Sequence, residues 1–104
     1  MSPAHPARGD SSRELSHLES VFSALAHPSR RHILLVLHYR GGELTAGEIA
    51  AGLPCSWPTT SRHLQILAGA ELVTSERHGR ERVYRLEHQR LDVVRDWIGW
   101  FDRA

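Results

Sequence analysis

The tightest constraint on this chain is a pair of short helical segments joined by a connection that cannot itself continue a helix. Thr45 and Glu48 stand at the capping-box spacing, in which the Thr hydroxyl accepts from the amide three residues on and the Glu carboxylate reaches back. Ile49, Ala50 and Ala51 follow, and Gly52 can take the left-handed conformation at a helix end, which predicts a helix of about two turns. After Leu53-Pro54-Cys55, Ser56 offers an N-cap oxygen, and Pro58 fits the first turn, where its missing N–H costs nothing. Leu64 and Leu67 mark the buried stripe of this second segment, which ends near Gly69. Two short helices with a glycine closing the first form the helix-turn-helix pattern.

The flanks extend that pattern on both sides. Ser11 and Glu14, again at capping-box spacing, open a helix with Leu15, Leu18, Val21, Phe22 and Leu25 at three- and four-residue intervals. His27 and Pro28 stop it, because a residue before proline is pushed out of the helical region, and Pro28 then begins a second helix reaching about Tyr39. Its apolar set, Ile33, Leu34, Val36 and Leu37, covers the wide face of a central core helix, and Gly41-Gly42 ends it. Beyond the helix-turn-helix, Leu72–Ser75 and Arg82–Leu86 are β-prone runs flanking Arg77-His78-Gly79-Arg80, which predicts a hairpin with Gly79-Arg80 at its tip. From about His88 the chain returns to helical spacing, with Leu91, Val94, Ile98 and Phe101 on one stripe and Trp97 beside it. The expected fold is mainly α with a small β-hairpin: a winged helix-turn-helix of about five helices and a two-stranded wing.

A chain of 104 residues is the size of one domain with one core. Residues 1–10, with Pro3, Pro6 and Gly9 and no apolar stretch, read as a disordered tail and not a secretion signal, leaving 11–104 as the domain. The longest apolar runs, such as Ile33–Leu37, fall far short of the roughly 20 residues a membrane span needs. A lone cysteine, Cys55, excludes an internal disulfide and fits the reducing cytoplasm; it reads either as a small buried hydrophobe or as an oxidation sensor. Net charge is only +1, so any case for nucleic acid rests on where the charges lie. No nucleophile–base pair, phosphate loop or carboxylate pair points to an enzyme.

Several separated signatures resemble the ArsR family of bacterial repressors. Leu25-Ala26-His27-Pro28-Ser29-Arg30-Arg31 is similar to the opening of the family's second helix, where an acidic or small residue is commoner than His27. Leu44-Thr45-Ala46-Gly47-Glu48-Ile49-Ala50 and Ser61-Arg62-His63-Leu64-Gln65-Ile66-Leu67 resemble its helix-turn-helix. Ala70-Glu71-Leu72-Val73, Gly79-Arg80 and Val83-Tyr84-Arg85-Leu86 resemble the entry, tip and return strand of its wing. The resemblance implies a dimer formed largely by the first and last helices, binding double-stranded operator DNA.

A helix entering the major groove turns its apolar stripe inward and short polar or bidentate side chains outward. On residues 56–69 that assigns Ser56, Trp57, Thr59, Thr60, Ser61, Arg62, His63 and Gln65 to DNA; Ser61 and Arg62 match positions that touch DNA in the family. Arg62 suits bidentate donation to a guanine, or a phosphate contact without sequence information. Trp57 departs from the family's usual polar residue and fits either stacking on sugar or thymine methyls or packing against the protein. Around the 76–82 wing, Arg77, Arg80, Arg82 and Arg85 outweigh Glu76 and Glu81, and Arg80 suits a narrow minor groove. His63 is expected to meet DNA or a neighbouring side chain. Leu15, Leu18, Phe22, Leu91, Val94, Trp97, Ile98 and Phe101 are the expected dimer interface, with Trp100 beside it; the other reading has these stripes cover only the monomer core.

Many relatives release DNA on binding metal, and the positions that would do so are changed here. The family's thiolate site needs Cys-x-Cys where this chain has Thr45 and Gly47. Its interhelical site needs paired histidines and acids on the last helix, where His88, Asp92 and Asp96 stand without a second histidine. The expectation is a repressor with no metal and no cofactor, nearest to the branch that often represses its own gene. A metal-responsive repressor, or a winged helix used only for protein–protein contact, are the alternatives.

Overall fold

The junction at His27-Pro28 sets the angle between the first two helices. In the computed structural model, which describes residues 8–103, α1 spans Arg8–Leu25 and α2 spans Pro28–Tyr39. His27 is extended (φ −107°, ψ 130°), and its Nδ1 accepts from the Ser29 amide at 3.1 Å, which caps α2. The last carbonyls of α1, left without helical partners, accept from two arginines of α2. Arg30 Nε donates to Ala24 O at 2.7 Å, Arg30 Nη2 to Ser23 O at 3.2 Å, and Arg31 Nη1 to Leu25 O at 2.7 Å. At the other end α1 already runs from Arg8, so Ser11 and Glu14 lie inside the helix and do not open it. The expected tail therefore gives up residues 8–10 to the helix, and its residues 1–7 lie outside those described.

After Gly41, whose φ of +98° lets the chain leave α2, come β1 (Glu43–Thr45), α3 (Ala46–Ala51) and α4 (Trp57–Gly69). The wing is β2 (Val73–His78) and β3 (Glu81–Leu86), and α5 spans Asp92–Gly99. The wing is the expected two-stranded hairpin, and β1, which the sequence did not predict, joins it to make an antiparallel sheet of order β1-β3-β2. Glu43 pairs with Arg85, Leu44 with Tyr84 and Thr45 with Val83. Three residues carry no legible alternation, so β1 exists only because β3 offers it a ladder. His78 faces Glu81 across the Gly79-Arg80 loop, and Gly79 at φ +65° suits the first loop position of a type II′ turn. The last helix is shorter than its apolar spacing suggested, with single 3-10 turns at His88–Leu91 and Trp100–Asp102 on either side of α5.

One core joins these elements. Val21 and Ala24 of α1, Ile33, Leu34 and Leu37 of α2, Leu44, Ile49, Leu64, Leu67, Leu72 and Val73 are all buried. The turn from α4 into β2 is a Schellman motif: Leu72 N–H donates to Leu67 O and Glu71 N–H to Ala68 O, with Leu67 and Leu72 both fully buried. Glu71 occupies its left-handed position at φ +62°, which favours glycine. Glu71→Gly is expected to raise stability by about 0.5 kcal/mol, the relief of left-handed strain less the extra chain entropy of glycine. The measurement is the urea midpoint at unchanged slope.

Candidate nucleic-acid interface

Hydrogen bonds the sequence anticipates lock α3 and α4 at their starts. Thr45 Oγ1 accepts from Glu48 N–H at 3.1 Å, and Glu48 Oε1 accepts from Thr45 N–H at 2.8 Å. Hydrogen bonding to the carboxyl from the Thr45 amide and then from the Thr45 side chain, with a smaller pull from Arg40, holds Glu48 below its ordinary value. Ser56 caps α4 by accepting from Thr59 N–H at 3.4 Å, while its hydroxyl donates to Thr59 Oγ1 at 3.1 Å.

From that start α4 buries Thr60, His63, Leu64 and Leu67. Helical geometry then places Arg62 and Gln65 on the opposite face, where both are exposed, with Thr59 exposed and Ser61 half-buried at its margins. Trp57 is 50% exposed at the first turn. Arg62 makes no hydrogen bond or ion pair among the described residues. Thr60 departs from expectation, and His63 meets neighbouring side chains, the second of its two expected roles: at 0% and 6% exposure, neither side chain is presented to a ligand lying on this face. Thr60 faces the core, and its Oγ1 has no hydrogen-bond partner among the described residues. His63 Nδ1 lies 3.3 Å from Arg30 Nη1, and its ring is 4.5 Å from that of His27. The sequence had no local signal for this contact, because the partners are 33 residues apart for Arg30 and farther for His27.

The wing concentrates guanidinium groups. Arg77 and Arg82 are directly opposed in the β2–β3 register, an arrangement that is destabilising between like charges. Arg77 Nε donates to Gly79 O at 3.1 Å and Arg82 Nη1 to Ser75 Oγ at 2.9 Å, so both are held by neutral acceptors. Arg80 occupies the tip. None of Arg62, Arg77, Arg80 and Arg82 has a carboxylate within ion-pair distance among the described residues. The acids of this region are engaged elsewhere or stand alone: Glu43 pairs with Arg85 at 3.1 Å, and Glu76 pairs with His78 at 2.9 Å. The His78 hydrogen bond, then its charge, keeps the Glu76 carboxyl below its ordinary value.

A second surface lies on α1 and the C-terminal helix. Phe22 meets Trp97 edge-on at 5.3 Å, and Trp97 meets Phe101 at 5.1 Å. Leu15, Trp97, Ile98, Trp100 and Phe101 remain exposed, Phe101 at 73%. Leu18 and Phe22 are half-buried. Leu91 and Val94 are half-buried against the core of their own chain, so they offer a partner less surface than expected.

The metal positions of the resembled family do not fit a metal here. Thr45 engages its hydroxyl as an N-cap and Gly47 has no donor; among the described residues no three His, Cys, Asp or Glu side chains cluster to hold an ion. No helix among them is long and apolar enough to cross a membrane.

An arginine-bearing helix seated by its apolar stripe, beside a β-hairpin wing, defines a winged helix-turn-helix of the DNA-binding kind. A helix-turn-helix domain family matches residues 25–76. The transcriptional repressor SdpR of Bacillus subtilis is 40% identical over 83 residues, covering 80% of this chain and 87% of that one. A crystallised ArsR family transcriptional regulator superposes with a TM-score of 0.75 at 28% identity, covering 86% of this chain and 95% of the other. A homodimeric winged helix-turn-helix DNA-binding domain from Mycobacterium bovis superposes with a TM-score of 0.65 at 27% identity, covering 91% and 82%. The chain belongs to the ArsR family of transcriptional regulators, and as such is a regulator and not an enzyme.

Burial separates Thr60 from the DNA-facing residues in a way that can be measured. Thr60→Val keeps the shape and removes an unpartnered hydroxyl, so stability is expected to hold or rise by up to about 1 kcal/mol while DNA affinity stays unchanged. Thermal unfolding and gel shift of the one variant check both halves.

Proposed function

We propose that this regulator is a homodimeric, metal-independent repressor that acts in the cytoplasm on double-stranded operator DNA, with one domain, beginning with α1 at Arg8, carrying both DNA binding and dimerisation. Residues 56–69 read the major groove through Arg62 and Gln65, flanked by Ser56, Trp57, Thr59 and Ser61. The wing over 76–82 places Arg80 in the adjacent minor groove, with Arg77 and Arg82 on the phosphates.

The observation that carries this reading is guanidinium charge left unneutralised inside the chain. Four arginines on α4 and the wing lack a carboxylate partner among the described residues, and two of them oppose each other across the ladder. A phosphate backbone supplies the missing negative charge and turns that repulsion into attraction.

Dimerisation rests on the exposed aromatic surface of Trp97, Trp100 and Phe101 with Leu15 and Ile98. A two-fold axis through it would bury this face against its own copy and space two recognition helices for a palindromic site. The Mycobacterium bovis relative, described as homodimeric, supports the reading.

The test is gel shift with a duplex enriched from a random-sequence pool. Arg62→Ala is expected to cost about 1–3 kcal/mol on that duplex and to relax sequence preference. Arg80→Ala should weaken all sequences alike and lower the log–log salt slope by about 1. Unchanged affinity in both variants would refute the assignment. For the interface, Phe101→Glu is expected to shift sedimentation equilibrium toward monomer by at least about tenfold in the dimer constant, since it buries a charge against apolar surface.

A further inference from the structure

Among the described residues His63 is the only buried side chain that titrates, and it lies on the buried side of the helix that faces DNA. Its Nδ1 is 3.3 Å from Arg30 Nη1. A guanidinium can only donate, so Nδ1 must be the acceptor; His63 is therefore neutral and carries its proton on Nε2. Arg30 cannot swing away to relieve a change there, because its Nε and Nη2 hold the Ala24 and Ser23 carbonyls at the end of α1. His27, whose ring is 4.5 Å away, is likewise an acceptor through Nδ1, from the Ser29 amide that opens α2. One imidazole thus joins α4 to the group that ties α1 to α2.

We propose that His63 is a positioning residue for α4, and that uptake of a proton there unseats the recognition helix and lowers selective DNA binding. This rests on the reading that α4 contacts base edges. A protonated ring has no lone pair for Arg30 and sets an imidazolium against a guanidinium. The groups that act on it are all cationic or neutral: His27 and Arg30 at the start of α2, and Arg62 beside it on α4. On the α1 side Arg30 already holds the Ala24 and Ser23 carbonyls, and no carboxylate among the described residues lies within ion-pair distance of the ring. Burial first, then the charges of His27, Arg30 and Arg62, hold the His63 imidazolium below its ordinary value. With the folded value below the unfolded one, the seat contributes fully above about pH 6.5 and is lost as pH falls through the folded value.

Acidification also adds positive charge to the protein as a whole, which raises affinity for any DNA. Selectivity, not affinity, is therefore the readout. The full chain, His63→Gln and His63→Leu are compared from about pH 8 to about pH 5.5, on the pool-enriched duplex and on a scrambled duplex of equal length, with thermal unfolding in the absence of DNA. Glutamine keeps an acceptor for Arg30 and does not titrate; leucine keeps neither. The wild type is expected to hold its selectivity above about pH 6.5 and then lose up to about tenfold per pH unit, the limit for one linked proton. His63→Gln should remain flat, and His63→Leu should be less selective at every pH. A parallel decline in wild type and His63→Gln, or a flat wild type, overturns the role of His63. Absence of selectivity at about pH 8 overturns the DNA reading instead, and the DNA-free unfolding then decides the seat alone: wild type must lose midpoint relative to His63→Gln below about pH 6.5. Should neither variant fold, nitrogen chemical shifts of the wild-type ring decide, and a protonated His63 at about pH 7 overturns the proposal.

Discussion

The seating of α4 against α1 and α2 is the constraint on which the rest of the molecule depends. Thr60, His63, Leu64 and Leu67 occupy one side of the helix and are buried there. Side chains on a helix hold fixed angular relations, so burying that stripe leaves no freedom in where Arg62 and Gln65 lie. Rotating α4 by one residue would exchange buried leucines for a margin residue and draw Arg62 toward the core. Each fully buried leucine contributes about 1.5–3 kcal/mol, and an unpaired buried charge costs several more, which together approach the whole stability of a small domain. The outward face is thus determined by what is inside.

The same economy governs the ends of the helices. Arg30 and Arg31 belong to α2 but satisfy the last carbonyls of α1, and Arg30 then continues to His63 on α4. One guanidinium closes a helix, fixes an interhelical angle and holds the recognition element. Across the sheet, opposite charges meet where the ladder must hold, as in Glu43 with Arg85, and like charges meet near the tip, as in Arg77 with Arg82. The first pair is exposed and worth at most about 1 kcal/mol, so it adjusts register more than it stabilises. The second is tolerable because both side chains find neutral acceptors and the tip is solvated.

At the far end of the chain the balance reverses, and apolar side chains outnumber the core positions available to them. Leu91 and Val94 turn toward their own core, which leaves Trp97 stacked edge-on between a half-buried Phe22 and Phe101, with much of the Trp97 and Phe101 rings in water. The short α5 permits this: with 3-10 turns on either side, residues that an unbroken helix would align on one stripe fan out to two directions. A domain with so few core positions does not leave this much aromatic surface idle.

Much of this architecture was legible in the amino-acid sequence, because the signals that set it act within a turn of helix or a tight loop. His27-Pro28, Gly41, the Thr45–Glu48 box, Ser56 with Pro58, and Gly79 each decide a boundary from backbone conformation and the nearest amides, and the structure has them in those roles. The apolar spacing of Leu64 and Leu67 likewise determined which side of α4 would be buried and hence the exposure of Arg62 and Gln65. Tertiary structure decided the remainder. β1 formed because β3 lay beside it; Thr60 and His63, polar enough to be read as DNA contacts, were drawn inside; and α1 began at Arg8 whatever capping spacing Ser11 offered. The contact of His63 with His27 and Arg30 joins residues more than thirty positions apart. Local sequence determines conformation through groups within a few residues, whereas which polar side chain is buried depends on what the fold brings opposite it.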